Sequence, residues 1–421
     1  MPYSPTSSST FIESLAARRR FGMKPGLDTI RALCAALGDP QKRFRAIHVA
    51  GTNGKGAVCA MLSAVLGGGR YTSPHLMKIN ERFVIDGKPI FDEKLEFFSE
   101  TVHNAISKWG LSPGDVTFFE ALTAVAFLAF ADAKVRYAIL ECGLGGRLDA
   151  TNVCEPELCV ITRIGLDHCD WLGDTVEKIA AEKAGIIKPG VPVVLGPNDE
   201  IVRTVISSRA KEVGAPFFYA PELANEAEIP EGFPLAGAFN RENAVTAIAA
   251  LKVLLAKPLS PEVLEGLKKT VWPGRFQRVG NYIVDGAHNP PAAAALAKAL
   301  DEEFPGLRLP LVAGFCGDKD VAQVLRTLAP HVSRGFAVRT NNPRSLLAEE
   351  TVAKMRDAGI PAEPCGSLEE ALSKAGKGTD PHAPALVCGS LFLAGEALAV
   401  LGAYPWGDVS RADPSESLRP C

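Results

Sequence analysis

The sequence predicts an α/β protein of two lobes, each a mainly parallel sheet covered by helices. Three observations support this. Short β-rich runs alternate with longer helical ones along most of the chain, the pattern that parallel crossovers require. One such strand runs into a glycine-rich loop, Gly51-Thr52-Asn53-Gly54-Lys55-Gly56, and then into a helix. The alternation stops at Trp272-Pro273-Gly274-Arg275 and then restarts, which places a hinge there and lobes at 1–274 and 275–421. A chain of 421 residues also exceeds what one ordinary core holds.

Taken in order, strands are expected at Arg45–Ala50, Val135–Glu141, Leu158–Arg163 and Val191–Leu195, all rich in apolar and β-branched residues. Helices are expected at Lys55–Leu66, Phe118–Ala131, Thr175–Ile187 and Arg241–Leu255. Beyond the hinge, strands at Tyr282–Asp285, Leu309–Ala313, Gly335–Arg339 and Ala385–Cys388 are interleaved with helices starting at Pro291, Asp320, Leu347 and Leu391. The tail from Gly407 to Cys421 is polar and is expected to fray. There is no repeat at solenoid spacing and no heptad run.

Composition excludes several classes. With 45 basic and 48 acidic residues the net charge is −3, so there is no general attraction to nucleic acid or anionic lipid. The ten cysteines are scattered singly, with Cys154 and Cys159 the closest pair and no CxxC; free thiols in a reducing compartment are expected. No apolar run precedes Arg18 to Arg20, so no secretory signal is expected there. The longest apolar stretch, Ala121 to Ala131, falls short of the ~20 residues of a membrane span. A soluble cytoplasmic protein with no membrane partner is the expectation.

The loop Ile47-His48-Val49-Ala50-Gly51-Thr52-Asn53-Gly54-Lys55-Gly56-Ala57 has the chemistry of a phosphate cradle. Glycines let backbone amides turn inward, the helix N-terminus adds positive potential, and Lys55 adds a point charge. Glu141 ends an apolar strand just before a glycine-rich loop, where functional groups emerge from parallel sheets. His168 reads either as a ligand or as a loop histidine bonded to backbone. Lys183, beside Glu182 on a helix, reads on its own as an ion-pairing lysine.

The GTNGKG loop resembles the nucleotide loop of the folylpolyglutamate synthase/dihydrofolate synthase branch of the Mur ligase superfamily. Further segments resemble that branch in order: Tyr71-Thr72-Ser73-Pro74-His75-Leu76, Glu141 to Asn152, Ile164 to His168, Glu182 to Ile186, Trp272 to Arg275, Asp285 to Asn289 and Gly389-Ser390-Leu391. The resemblance spans nearly the whole chain. It implies an N-terminal P-loop ATPase domain with a smaller, Rossmann-like C-terminal α/β domain. It also implies an ATP-driven amide ligase that phosphorylates a carboxylate and joins the acyl phosphate to L-glutamate, with dihydropteroate or a reduced folate as acceptor.

The same resemblance assigns roles. Gly51 to Ala57, Asn243 (adenine), Arg275 (phosphate) and Asp285 (ribose) would bind ATP. Ser73, Glu141, His168 and a carbamylated Lys183 would hold Mg²⁺, with Lys55, His168 and Lys183 the catalytic set. Phe119, Asp149 and Ala150 would face the folate, and His288 and Asn289 the incoming glutamate; the alternative for Phe119 is a core position. A monovalent cation is a further implied cofactor, and a monomer is expected. Two departures stand out. Ala57 replaces a Ser or Thr found in many relatives, which should weaken nucleotide binding. The link Leu66 to Tyr71 is also short, as if a helix end and a strand were trimmed. Two other readings stay open: a muramyl-type peptide ligase, although no separate uridine-nucleotide domain precedes the loop, and a nucleotide-binding regulator with weakened catalysis.

Overall fold

The computed structural model describes residues 26–110, 115–317, 319–377 and 383–407. The expectations about a leader in the first twenty residues and a frayed end lie outside the described residues.

Two sheets form. The first contains β1 (Arg45–Ala50), β2 (Gly69–Tyr71), β3 (Phe83–Ile85), β4 (Lys88–Pro89), β5 (Tyr137–Glu141), β6 (Pro156–Ile161), β7 (Val193–Leu195) and β8 (Phe217–Tyr219), in the order β4-β3-β2-β5-β1-β6-β7-β8. The six strands from β2 to β8 in that order are parallel, and β3 and β4 fold back as an antiparallel edge. β5 is buried along its whole length and β1 is exposed only at Arg45, as strands covered on both faces must be. One face packs on the helices Lys55–Leu66 and Ala238–Leu255, the other on Asp92–Lys108 and Phe118–Asp132. Thr117 and Glu120 cap the last of these helices reciprocally: Thr117 Oγ1 accepts from the Glu120 amide, and Glu120 Oε2 accepts from that of Thr117.

Register decides where chemistry can occur. Val49 pairs with Glu141, so the loop after β1 and the carboxylate closing β5 emerge together at the C-terminal edge of the sheet. The short link before β2 still yields a strand. Gly67 and Gly68 take φ of 69° and 80° and turn helix into strand within two residues, a conformation that side chains disfavour. β2 is trimmed to three residues but seated between β3 and β5, which places Ser73 two residues beyond it.

The second sheet contains β9 (Gln277–Val279), β10 (Tyr282–Val284), β11 (Leu309–Ala313), β12 (Val332–Ala337), β13 (Ala362–Pro364) and β14 (Ala385–Cys388), in the order β13-β12-β11-β14-β10-β9. Only β9 runs antiparallel. Helices Pro290–Glu303, Val321–Leu328 and Ala348–Asp357 cover one face, and Leu368–Gly376 and Leu391–Val400 the other. The lobes meet through Phe239 against Phe276, edge to face at 6.4 Å, and through the Tyr404 hydroxyl, which donates to Glu81 Oε1 at 2.6 Å. Among the described residues no helix is long and apolar enough to cross a membrane, and the nine described cysteines are free thiols.

Every expected strand is present; Arg45–Ala50, Leu309–Ala313 and Ala385–Cys388 keep their expected ends and the others shift by one to three residues. The strand expected from Val191 starts at Val193, because Pro192 has no amide to give a ladder. The short strands β2, β3, β4, β8, β9 and β13 and the helices Asp92–Lys108 and Glu200–Glu212 go beyond the expected set.

Candidate active site

The loop after β1 is held from the neighbouring strand before it meets any ligand. The amides of Thr52 and Asn53 both donate to the Arg163 carbonyl, at 2.8 and 3.2 Å, and Thr162 Oγ1 donates to the Asn53 carbonyl at 2.7 Å. The amides free of intrahelical bonds are therefore those of the first helical turn, starting at Lys55. Gly54 caps that helix at φ 87°, and a Cβ there would lie 2.1 Å from Asn243 Oδ1. Gly56 lies under the Trp272 indole, where a Cβ would stand 2.1 Å from Cζ2. Asn243 and Trp272 thus press directly on the phosphate loop, and Lys55 Nζ donates to the Thr52 carbonyl at 3.1 Å. Ala57 is buried among the core residues beneath this turn.

Lys183 is not the exposed ion-pairing residue its neighbour Glu182 suggests. Glu182 pairs with Arg147 at 2.8 Å. Lys183 is 4% exposed and its Nζ donates to the Gly51 carbonyl at 2.7 Å. Burial, reinforced by the Lys55 charge, pushes its amine down to about 7, so a neutral amine is available near neutral pH.

Glu141 Oε2 accepts from the Ser73 amide at 2.8 Å. Burial pushes this carboxyl up, opposed by Lys55, the Ser73 amide, Arg275 and Arg82. The Ser73 loop is itself tethered: Glu81 accepts from the amides of Leu76, Met77 and Lys78 at 2.6 to 2.8 Å. Arg82 Nε donates to His75 Nδ1 at 3.0 Å. His168 belongs to the loop after β6. It sits at φ 51° with a largely exposed ring, its Nε2 3.8 Å from Asp167 Oδ2. Among the described residues no three His, Cys, Asp or Glu side chains converge as a metal group. A carboxylate and a hydroxyl at Glu141 and Ser73 nevertheless fit Mg²⁺, which takes one or two protein oxygens and fills its shell with water and phosphate.

From the second lobe, Arg275 is deeply placed, with Nη1 donating to the Gly274 carbonyl at 3.2 Å and the guanidinium 6.0 Å from the Trp272 ring. Burial lowers its pKa, while Asp285 and Glu141 favour its charge. Both Asp285 oxygens accept backbone amides, from Phe276 at 2.7 Å and Ala287 at 2.8 Å, so this carboxylate orders the turn that carries Arg275. His288 Nδ1 bonds the Gly286 carbonyl at 2.7 Å, which leaves Nε2 as its outward nitrogen. Asn289 caps the helix Pro290–Glu303, accepting from the Ala292 amide at 2.9 Å.

Around the proposed folate pocket, Phe119 packs on Tyr71 at 5.8 Å and on Gly143, where a Cβ would sit 2.5 Å from Cζ. Asp149 accepts from the Leu144 amide at 2.9 Å and the Thr151 amide at 3.0 Å. Ala150 is buried behind it. The Thr151 hydroxyl also donates to Asp149 and lies 2.7 Å from Nε2 of the buried His48. Phe119 and Asp149 thus shape the loop after β5. Sequence reasoning did not single out Glu81, Arg82 or Arg70; their burial depends on pairings between distant segments, and no local motif marks it.

Lys55, Arg82, Arg275 and Arg70 all act electrostatically on the single carboxylate of Glu141. A cleft so charged suits a polyphosphate neutralised from two lobes at once, the chemistry that an ATP-dependent ligase on two α/β lobes requires. Models of known families match segments in both lobes: the Mur ligase middle domain matches residues 49–220, and the Mur ligase glutamate ligase domain matches 274–391. The dihydrofolate synthase/folylpolyglutamate synthase of Bacillus subtilis is 37% identical over 366 residues, covering 79% of this chain and 85% of that protein. Escherichia coli FolC in complex with DHPP and ADP superposes with a TM-score of 0.79 at 29% identity, covering 96% of this chain and 99% of that one. The bifunctional folylpolyglutamate synthase/dihydrofolate synthase of Yersinia pestis, complexed with AMPPNP and Mn ion, superposes with a TM-score of 0.80 at 31% identity, covering 96% and 100%. The chain belongs to the dihydrofolate synthase/folylpolyglutamate synthase family of Mur ligases.

Proposed function

We propose that this ligase joins L-glutamate to dihydropteroate and to reduced folates through an acyl phosphate. The observation that carries the reading is the Glu141–Ser73 contact beside Lys55, faced by Arg275 from the other lobe. Phosphoryl transfer is catalysed mainly by positioning and charge neutralisation, and this is where the chain concentrates both. A carboxylate oxygen of the acceptor attacks the γ-phosphorus, and the bond to ADP breaks. The glutamate amine then attacks the acyl carbon, inorganic phosphate leaves, and the ammonium proton is lost.

In these steps the amides of the first turn after Gly54, with Lys55, hold the phosphates, and Arg275 offsets charge on the transferred group. Asn243, pressed on Gly54, borders the adenine, and the outward nitrogen of His288 faces the glutamate. Glu141 and Ser73, with His168 from the adjoining loop, would hold Mg²⁺, which neutralises phosphate charge when bound. The neutral amine of Lys183 can add CO₂ and lose a proton, giving an anion at the base of the loop. A monovalent cation is kept as a co-requirement with no residue assigned. The functional division at 1–274 and 275–421, a monomeric state and a cytoplasmic location belong to the same proposal.

The test is incorporation of labelled glutamate, with ATP and Mg²⁺, into dihydropteroate, tetrahydrofolate and a uridine-linked muramyl acceptor in parallel. Label is expected in the first two and not in the third. Label only in the muramyl acceptor, or ATP turnover independent of any acceptor, would overturn the reading.

A further inference from the structure

Arg70 lies outside every motif above. It stands on β2, the strand trimmed to three residues, and is 4% exposed. Strand alternation sends Tyr71 to the core around Phe83 and Phe119 and Arg70 to the opposite face. There its guanidinium stands 5.6 Å from the Trp272 ring, and Nη1 makes a long bond of 3.4 Å to the Val271 carbonyl. Nε is buried with no hydrogen-bond partner among the described residues.

Trp272 therefore has a guanidinium within cation–π range from each lobe, Arg70 and Arg275. Its indole presses on Gly56 in the first turn of the phosphate helix. Val271 and Trp272 lead directly into Pro273-Gly274-Arg275, so whatever fixes them also fixes the approach of Arg275 to Glu141. We propose that Arg70 is a positioning residue for the nucleotide site: it pins the Val271–Trp272 linker to the central sheet and so holds Trp272 and Arg275 against the phosphate loop. A buried cation with an unsatisfied Nε costs stability relative to an apolar side chain of similar volume. As packing volume in the core, a methionine would serve as well. The geometry of the linker gains from Arg70, because a cation can face the indole and donate to the Val271 carbonyl, which a methionine cannot do, and a guanidinium does both with less loss of freedom than an ammonium.

This rests on the ATP-dependent reading of the site, and its test does not require ligation. ADP binding by calorimetry and thermal unfolding without nucleotide are measured for Arg70→Met, Arg70→Lys and Trp272→Phe. Expected are an unchanged or raised Tm for Arg70→Met with ADP affinity lowered about tenfold, a partial return of affinity in Arg70→Lys, and a loss of affinity in Trp272→Phe. The ADP-dependent change in Trp272 fluorescence, taken against Trp272→Phe, should shrink in Arg70→Met. Unchanged ADP affinity in a folded Arg70→Met protein would overturn the proposal. A lowered Tm with affinity lost equally in the Met and Lys variants would overturn it too, by assigning Arg70 to the fold alone. Failure of ADP to bind the wild-type chain would instead remove the ATP-dependent reading itself.

Discussion

Gly54→Ala perturbs the phosphate loop at a single atom, and the structure sets the size of its effect. Gly54 sits at φ 87°, where an L side chain costs about 1–2 kcal/mol. The added Cβ would also lie 2.1 Å from Asn243 Oδ1, so the amide must retreat by roughly 1 Å to reach ordinary contact. Such a displacement in the nucleotide site, even away from the reacting groups, can lower rate by about 10²-fold. Stability should fall by the strain and by the displaced packing of Asn243, which is buried. The assay is a thermal-unfolding cycle over wild type, Gly54→Ala, Asn243→Ala and the double variant, with ADP calorimetry on each. Removing the Asn243 amide relieves the collision but not the φ strain. The double variant should therefore be more stable than the sum of the single losses predicts, by at least about 0.5 kcal/mol. Strict additivity, or wild-type stability and ADP affinity in Gly54→Ala, would refute the geometry from which this is argued.

Lys55→Ala removes the cation of the glycine loop, and turnover should fall by about 10²-fold or more with the fold retained; steady-state kinetics beside a Tm check this. For Lys183, a folded-state pKa of about 7 lies below its unfolded value, so the unfolded chain binds more protons between pH 7 and the ordinary lysine range. Its linkage term therefore favours the fold increasingly as pH rises through that window and withdraws that support as pH falls towards 7. In CO₂-free buffer, Lys183→Met should flatten the rise seen in pH-dependent denaturant unfolding. Lys183→Ala should lose activity and recover part of it with short carboxylic acids; no recovery together with an unmodified lysine by intact mass would remove the carbamate. Glu141→Gln and His168→Ala should each raise the Mg²⁺ concentration for half-maximal rate, and an unchanged requirement in both would dismiss them as ligands. Tyr404→Phe removes the interlobe bond to Glu81, which a buried charged acceptor makes worth roughly 1.5–3 kcal/mol. Differential scanning calorimetry should register that loss, with the circular dichroism of the native state unchanged.

Much of the architecture can be read from local pattern because local pattern causes it. Strands covered on both faces are continuous apolar runs, and the loop Gly51 to Gly56 declares itself by the glycines its backbone needs. The same holds for Lys55–Leu66 and Leu309–Ala313, whose observed ends match those expected. Edge strands such as β4 and β13 escape this reading, since two or three residues become a strand only when a partner arrives. The site divides in the same way. Residue types and order announced a phosphate loop, a carboxylate at a strand end and a second-lobe arginine. Tertiary structure decided which atoms meet. It turned Asp149, Asp285 and Asn289 onto backbone amides, left His168 exposed, and buried Lys183 under Gly51. It also set Arg70 against Trp272 from opposite ends of the first lobe. Burial and charge proximity between residues 70, 141, 183, 272 and 275 are properties of chain closure, and no window of sequence contains them.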